Sequence, residues 1–396
     1  MHPTVTHPTL VHAFLHWADT TPNKTYLTQP CNGEVSTLTW AQCADQVRRM
    51  ATYLDSLGLP KGSSIGLLGR NSAHWILADL AIWLSGHVTV PLYPTLNGET
   101  AEYILDHASV RLLIIGKMDG KADGWNDIAP ILPADLPLIG LPMCPRNDIM
   151  KWDDIVARVE PQMDLALPEP ESLATIVYTS GSTGQPKGVM HNFAAMISVA
   201  AGLQENFNAS NEDRMLSYLP LAHVAERAAV ETLSLYFGFS IFFSEGLETF
   251  QKDLQRAQPT IFFSVPRLWT KFYLGVNEKL PLEKQKRLFR IPILSGIVKR
   301  KILKQLGLDK CRMAVTASAP LPPNIIQWYR NLGLELLDVY GMTENFGYSH
   351  SSRPGQVRVG YVGECNPRVE CRIAANGEVL VKRPGQMLGH YTHPEK

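Results

Sequence analysis

Between Tyr178 and Gly188 the chain runs Tyr-Thr-Ser-Gly-Ser-Thr-Gly-Gln-Pro-Lys-Gly. Gly181, Gly184 and Gly188 allow close backbone approach and positive φ, so that successive N–H groups can turn toward one anion. Thr179, Ser180, Ser182 and Thr183 add hydroxyl donors, and Lys187 adds a mobile positive charge. That inventory suits a polyphosphate. It is not the ordinary phosphate-loop signature, because Pro186 precedes Lys187 where Gly is usual and Gly188 follows it in place of Ser or Thr. A flexible linker is the plain alternative for a Gly/Ser/Thr-rich stretch. A linker, however, has no need of a Pro-Lys-Gly end between two regular elements.

A second polar turn follows an apolar run at 334–339 and reads Tyr340-Gly-Met-Thr-Glu344. A planar ring, a glycine, a hydroxyl and a carboxylate meet there, where a nucleotide base, its α-phosphate and a Mg²⁺ ion would need them. A tight turn that happens to be polar is the plain alternative. His223 lies just past the strand expected at 215–219, at the edge where open α/β sheets collect ligands.

The elements that must position these groups are legible from periodicity. The run 173–178 is rich in β-formers and reads as a buried strand, while Asn192 caps a helix with Phe193, Met196, Ile197, Ala200 and Leu203 on one face. The reading around the first turn is strand, loop, helix. Upstream, helices are expected over 10–18 and 40–57, with short turn-rich pieces between them. Strands at 65–68, 87–90 and 111–115 alternate with a helix that starts at Asn71-Ser72 and another at 99–107, the mark of a doubly wound parallel sheet. No GxGxxG follows the first of these strands, which argues against a dinucleotide site there. Residues 116–172 are proline-rich and read as a connection.

Further strands are expected at 240–244, 260–264 and 312–316, and a helix at 323–332. The aromatics of 240–244 and 260–264 suit either an acyl-sized pocket or plain core, and core is the commoner fate. Segments 369–373 and 378–381 alternate around Asn376-Gly377, a hairpin signal. The expected fold is therefore α/β, with two doubly wound, helix-flanked sheet lobes (1–172 with the connection, and 173–354 carrying the nucleotide site) and a small antiparallel β unit at 355–396.

The totals exclude several classes. The 396 residues exceed what one hydrophobic core serves. The 37 basic and 37 acidic side chains cancel, which argues against a nucleic-acid binder driven by net charge. The six cysteines are scattered without a CxxC pair and read as buried thiols of a reducing compartment, not as a disulfide framework or zinc site. His12 and His16 stand at helical spacing, but without a third ligand they do not make a metal site. No secretory signal and no membrane span are apparent. The stretch 284–304 is basic, with Leu294, Ile297, Val298, Ile302 and Leu306 on a helical stripe. It fits a surface resting on anionic lipid, and equally a helix packed on the protein with its charges in water, the commoner case.

Together these motifs resemble the acyl-adenylate-forming enzymes: acyl-CoA synthetases, peptide-synthetase adenylation domains and luciferases. The likeness runs from about residue 10 to the end, through 178–188, Leu219-Pro-Leu-Ala-His-Val-Ala-Glu-Arg227, Ser318-Ala-Pro-Leu321, Tyr340-Gly-Met-Thr-Glu344 and Gly377-Glu-Val-Leu-Val381. Ser264-Val-Pro-Arg-Leu-Trp269 and His223-Val-Ala-Glu-Arg227 are similar to the long-chain fatty acyl branch. The resemblance implies a ligase that joins a fatty acid to AMP from ATP and then to the thiol of CoA. Transfer to a carrier protein or reductase domain is the close alternative, and a non-catalytic nucleotide-binding module the distant one. By resemblance, Thr179, Ser180, Gly181, Ser182, Thr183, Gly184 and Lys187 hold the β- and γ-phosphates. Ser318, Ala319 and Pro320 sandwich adenine with Tyr340, in the turn that continues through Gly341 and Met342. Thr343 touches the α-phosphate, Glu344 and Thr179 hold Mg²⁺, and His223 lies beside the carboxylate, so that His223, Lys187 and Thr343 form the catalytic set. Family members continue past the segment 389–395 into a mobile domain with a further lysine, which implies that this chain binds ATP but turns over poorly. The expected location is the cytoplasm, with 284–304 as the surface for any peripheral contact at the inner face of a membrane.

Overall fold

The computed structural model describes residues 7–118, 123–179, 184–382 and 384–392. The architecture is mixed α/β. Its largest sheet has eight strands, in the order Gly389–Tyr391, Lys187–Asn192, Leu173–Thr179, Val88–Leu92, Ser64–Leu68, Leu112–Ile115, Leu138–Gly140 and Met150–Lys151. Its strands from Leu173–Thr179 to Met150–Lys151 are parallel, and the two outer strands on the other side run antiparallel. A second sheet sets Ile261–Ser264, Met313–Ala317 and Leu336–Tyr340 parallel, then His350–Ser351 and Glu364–Cys365 antiparallel. A third joins Arg214–Ser217, Ser240–Phe243, Thr25–Cys31 and Glu34–Thr39.

Several helices begin and end where side-chain chemistry dictates. The Ser72 hydroxyl accepts Trp75 N–H at 3.2 Å and starts Ala73–Leu84, and Asn192 Oδ1 accepts Ala195 N–H at 2.9 Å and starts Phe193–Phe207. Gly333, at φ +93°, ends Pro323–Leu332, the bounds expected from sequence. Ala73–Leu84 is apolar on every face except at Asp79 and His74, and it is accordingly buried between the large sheet and its neighbours.

The structure corrects four readings. Lys187–Asn192 is a strand, not a loop entering a helix, and it pairs antiparallel with Leu173–Thr179. The sheets do not divide at residue 172, because Leu173–Thr179 pairs beside Val88–Leu92 and extends the sheet begun by residues 64–115. The supposed connection contributes the short strands Leu138–Gly140 and Met150–Lys151 and the helix Trp152–Arg158, while the turn-rich piece near the start is the strand pair Thr25–Cys31 and Glu34–Thr39. Only the hairpin Glu370–Ile373 with Val379–Lys382 is a separate antiparallel unit; Glu364–Cys365 and Gly389–Tyr391 belong to the larger sheets. The boundary at 172 and the placement of the later strands share a cause: apolar strands advertise burial, but their partners are chosen by tertiary packing. Nor are the thiols uniformly buried: Cys43 is, Cys31, Cys144, Cys311 and Cys365 are half-buried, and Cys371 is exposed.

The basic stretch forms two helices, Leu282–Phe289 and Pro292–Leu306. Ile302 and Leu306 of the expected stripe are buried, whereas Ile297 is 59% exposed. Among the described residues no helix is long and apolar enough to cross a membrane.

Candidate functional site

Antiparallel pairing sets Lys187 opposite Thr179, so the hairpin holds an ammonium and a hydroxyl at the end where its two strands connect. Gly188 sits between Tyr178 and Tyr391 on the flanking strands, and a Cβ there would come within 2.8 Å of Ile176 and 3.2 Å of both tyrosine side chains. Only glycine fits this close approach. Gly184, at φ +95°, and Lys187 are exposed. Ser180, Gly181, Ser182 and Thr183 lie outside the described residues.

The second turn leaves the neighbouring parallel strands at the same edge. Ala317 faces Val339 across the ladder, so Ser318 and Tyr340 emerge side by side, with Ala319 and Pro320 exposed beyond them. Ser318 holds φ +75°, a left-handed conformation that a side chain resists, and such strain collects at ligand sites. Gly341 is required by contact as well: a Cβ would lie 2.3 Å from the Gly347 backbone, which doubles back to donate its N–H to Met342 O at 2.8 Å.

His191 ties the two turns together. From the strand that Lys187 begins, its Nε2–H donates to Thr343 O at 2.8 Å, with the ring against Phe346. Burial lowers its pKa to about 4, so the imidazole is neutral near pH 7. Two further hydrogen bonds close the same seam, Met387 N–H to Glu344 O at 2.8 Å and Leu388 N–H to Met190 O at 2.9 Å.

Beside this seam lies an apolar cavity of about 150 Å³. Its polar rim is His223, Ser318, Gly341 and Thr343, and Met342 lines it too. Its walls come from Phe193–Phe207 (Val199, Leu203, Phe207), from 224–237 (Ala225, Ala228, Leu233, Phe237) and from the strands that carry Met215, Phe263 and Met313. Of the aromatics in the two expected strands, Phe263 faces the cavity and Phe243 is core. His223 Nδ1 accepts Ala225 N–H at 3.0 Å, which leaves the proton on Nε2 as a donor, and burial lowers its pKa, favouring that neutral form.

Behind the cavity wall is a charged cluster that the sequence did not announce. Arg227 Nη2 meets Asp79 Oδ2 at 2.6 Å and Nη1 lies 3.6 Å from Glu231 Oε2, all three side chains being fully buried. The guanidinium also stacks over Trp75 and Trp83, 5.3 and 5.6 Å from the ring centroids. Glu226 Oε1 accepts from Ser217 Oγ at 2.8 Å and from Tyr218 N–H at 3.0 Å, and burial raises its pKa to about 8. The available signal was a pair of acids and an arginine at i, i+1 and i+5 in an otherwise apolar helix; its partner Asp79, 148 residues away, was not legible.

The structure thus gathers His223, Ser318, Gly341, Met342 and Thr343 on one cavity, with Tyr340 and Glu344 in the same turn, and joins them through His191 to the hairpin that carries Thr179 and Lys187. Such an arrangement can receive an apolar group that ends in a carboxylate and set it against a phosphate. Residues 14–391 match the family described as AMP-binding enzyme. Fatty acyl-CoA synthetase A of Dictyostelium discoideum is 30% identical over 411 residues, covering 92% of this chain and 61% of the relative. The peroxisomal long chain acyl-CoA synthetase 6 of Arabidopsis thaliana is 28% identical over 91% of this chain and 57% of its own length. The chain therefore spans less than two thirds of these relatives. Among solved structures, the anthranilate CoA ligase AuaEII with anthranoyl-AMP superposes with TM-score 0.79 at 21% identity, covering 98% of this chain and 72% of that one. The N-terminal domain of FACL13 from Mycobacterium tuberculosis superposes with TM-score 0.76 at 20% identity, covering 98% and 92%.

Proposed function

The chain belongs to the AMP-binding enzyme family, and on that premise we propose that it binds ATP and a fatty acid and supports formation of their acyl-adenylate. The observation that carries the proposal is one apolar cavity whose polar rim is His223, Ser318, Gly341 and Thr343. In the proposed reaction a carboxylate oxygen attacks the α-phosphorus, the bond to the bridging oxygen breaks, and pyrophosphate leaves. Lys187 and Thr179 neutralise and orient the outgoing phosphates, and the Thr343 hydroxyl holds the α-phosphate. Tyr340 and the 318–320 turn flank adenine. The neutral His223 Nε2–H donates to the carboxylate and holds it in line. Thioester formation with CoA, by attack of its thiol on the acyl carbon with loss of AMP, is the second proposed half.

The family implies Mg²⁺, and the residues fit it: the half-buried Glu344 carboxylate forms no ion pair among the described residues, and with the Thr179 hydroxyl it offers the hard oxygen donors this ion prefers. Bound there, the ion would offset phosphate charge.

A cavity of about 150 Å³ matches one that holds a benzene-sized guest. A longer chain enters by displacing Met215 and Met313, side chains suited to repacking. The test is calorimetric binding of non-reactive acyl-sulfamoyl adenosines to the 396-residue chain. If the tail is buried, each added methylene contributes about 0.8 kcal/mol, so four extra give roughly two-hundredfold tighter binding. A flat response from eight to sixteen carbons removes the long-chain assignment. Absence of binding by every member removes the adenylate reading itself.

A further inference from the structure

Outside the cavity, His350, Cys365 and Cys371 bring their ligating atoms within 4.8 Å of one another, the one such group of three or more His, Cys, Asp or Glu among the described residues. Sheet register makes the group. His350 is paired with Tyr340 on one side and with Cys365 on the other, so the three residues form one row, and cross-strand partners project from the same face. His350 Nε2 lies 3.3 Å from Cys365 Sγ. The chain then turns at 366–369, where Val369 N–H donates to Asn366 O at 3.0 Å, and brings Cys371 back on the strand Glu370–Ile373.

We propose that His350, Cys365 and Cys371 bind a zinc ion, with a water molecule in the fourth position. Two sulfurs and an imidazole are the donor set zinc favours. Tetrahedral bonds of about 2.3 Å to sulfur and 2.0–2.1 Å to nitrogen place S and N about 3.5 Å apart, close to the separation already present. Closing the third ligand takes a shift of about 1 Å by Cys371, which is exposed on a hairpin free to make it. The supporting shell is in place: the buried Ser349 hydroxyl lies 2.8 Å from His350 Nδ1, and when Nδ1–H donates to it, Nε2 keeps its lone pair for the metal.

The ion has something to hold. Seven of the eight residues in the strands Glu370–Ile373 and Val379–Lys382 are exposed, Ile373 to 70%, so little apolar burial fastens this hairpin to the body. Zinc would pin it to the sheet that carries Tyr340. The site stands on its own geometry and does not depend on the adenylation reading.

The test is titration of the reduced 396-residue chain with Co²⁺, held in a metal-free phosphine reductant, followed by back-titration with Zn²⁺. One equivalent of Co²⁺ is expected to produce near-ultraviolet thiolate charge transfer and the strong visible bands of four-coordinate cobalt, both abolished by one equivalent of Zn²⁺. Cys371→Ser, exposed and so tolerated by the fold, should weaken zinc binding by about 100-fold or more, whereas Cys31→Ser should leave it unchanged. Zinc should also slow proteolysis within 374–378 in the parent and not in Cys371→Ser. Absence of the charge-transfer band, a band that Cys371→Ser leaves intact, or a Cys365–Cys371 disulfide that survives the reductant overturns the assignment.

Discussion

His191 is wholly buried, yet it is a titratable group whose Nε2–H holds the carbonyl of Thr343. Burial lowers its pKa from 6.5 to about 4. Above pH 6.5 folded and unfolded chains both carry it neutral; below, the unfolded chain takes up a proton that the folded one refuses. Its contribution to stability therefore falls by about 1.4 kcal/mol per pH unit from about 6.5 down to 4. His191→Gln, which can keep a donor to Thr343 O, should flatten that acid limb when urea midpoints are measured against pH. His191→Ala should in addition weaken binding of an acyl-adenylate mimic by about tenfold, because one buried hydrogen bond between the two turns, about 1.5 kcal/mol, is lost. An unchanged acid limb in both variants would show that His191 does not titrate as its burial requires. Glu226 works in the opposite sense. Its pKa is raised by burial from 4.5 to about 8, so the stability it contributes is present below pH 4.5 and is lost as pH rises to about 8. Glu226→Gln should therefore be more stable than the parent at pH 9 and gain nothing at pH 4, again read from urea midpoints.

The segment 224–237 shows how one helix serves two masters. It is α-helical at Val224–Glu226 and Leu233–Phe237 and widened to a π turn at Arg227–Thr232. That turn lets Ala228, Ala229 and Leu233 face the cavity while Arg227 and Glu231 face Asp79, whose other oxygen accepts from the Thr89 hydroxyl of the large sheet. Removing the cation strands two buried acids. Arg227→Met should cost about 3–5 kcal/mol in chemical denaturation, and less in combination with Asp79→Leu, which leaves Glu231 as the one stranded acid of the two, because the uncompensated charge rather than the lost attraction sets the penalty. A purely additive double variant would contradict this. Much of this element level was legible in the sequence. Asn192 and Ser72 advertised their caps, and Pro323–Leu332 its length. The strand Lys187–Asn192 was not, because its buried positions are Gly188, Val189 and His191, of which only Val189 carries an apolar side chain, too few for a period to register. Of the site, the turn at Tyr340 and His223 were readable from residue type and position. His191 and Asp79 reach the site through partners 152 and 148 residues away, which spacing does not reveal.

For the molecule as a whole, the α/β class followed from alternating periods, whereas the sheet that runs across the expected boundary at 172 is a matter of partner choice. The same limit applied to residues 284–304, where composition could not say which apolar side chains face inward. Ile302 and Leu306 do, but Ile291, Ile293 and Ile297 are 52%, 83% and 59% exposed, among Arg287, Arg290, Arg300 and Lys301, all of them exposed. Isoleucines within a basic surface suit an interface with anionic lipid, since shallow insertion buries apolar area and each basic side chain near such a surface adds about 1 kcal/mol. The chain is expected to sediment with vesicles containing phosphatidylserine and to stay in solution with neutral phosphatidylcholine vesicles. Raising the salt from 0.1 to 0.5 M should release it, because the charge attraction is screened while the apolar part is not. Ile293→Ser with Ile297→Ser should reduce binding by about thirtyfold, from the loss of roughly 1 kcal/mol at each site, and should change the urea midpoint little because both side chains are mostly exposed. Equal sedimentation of parent and double variant, or equal binding to neutral and anionic vesicles, would return these helices to the status of a solvated face.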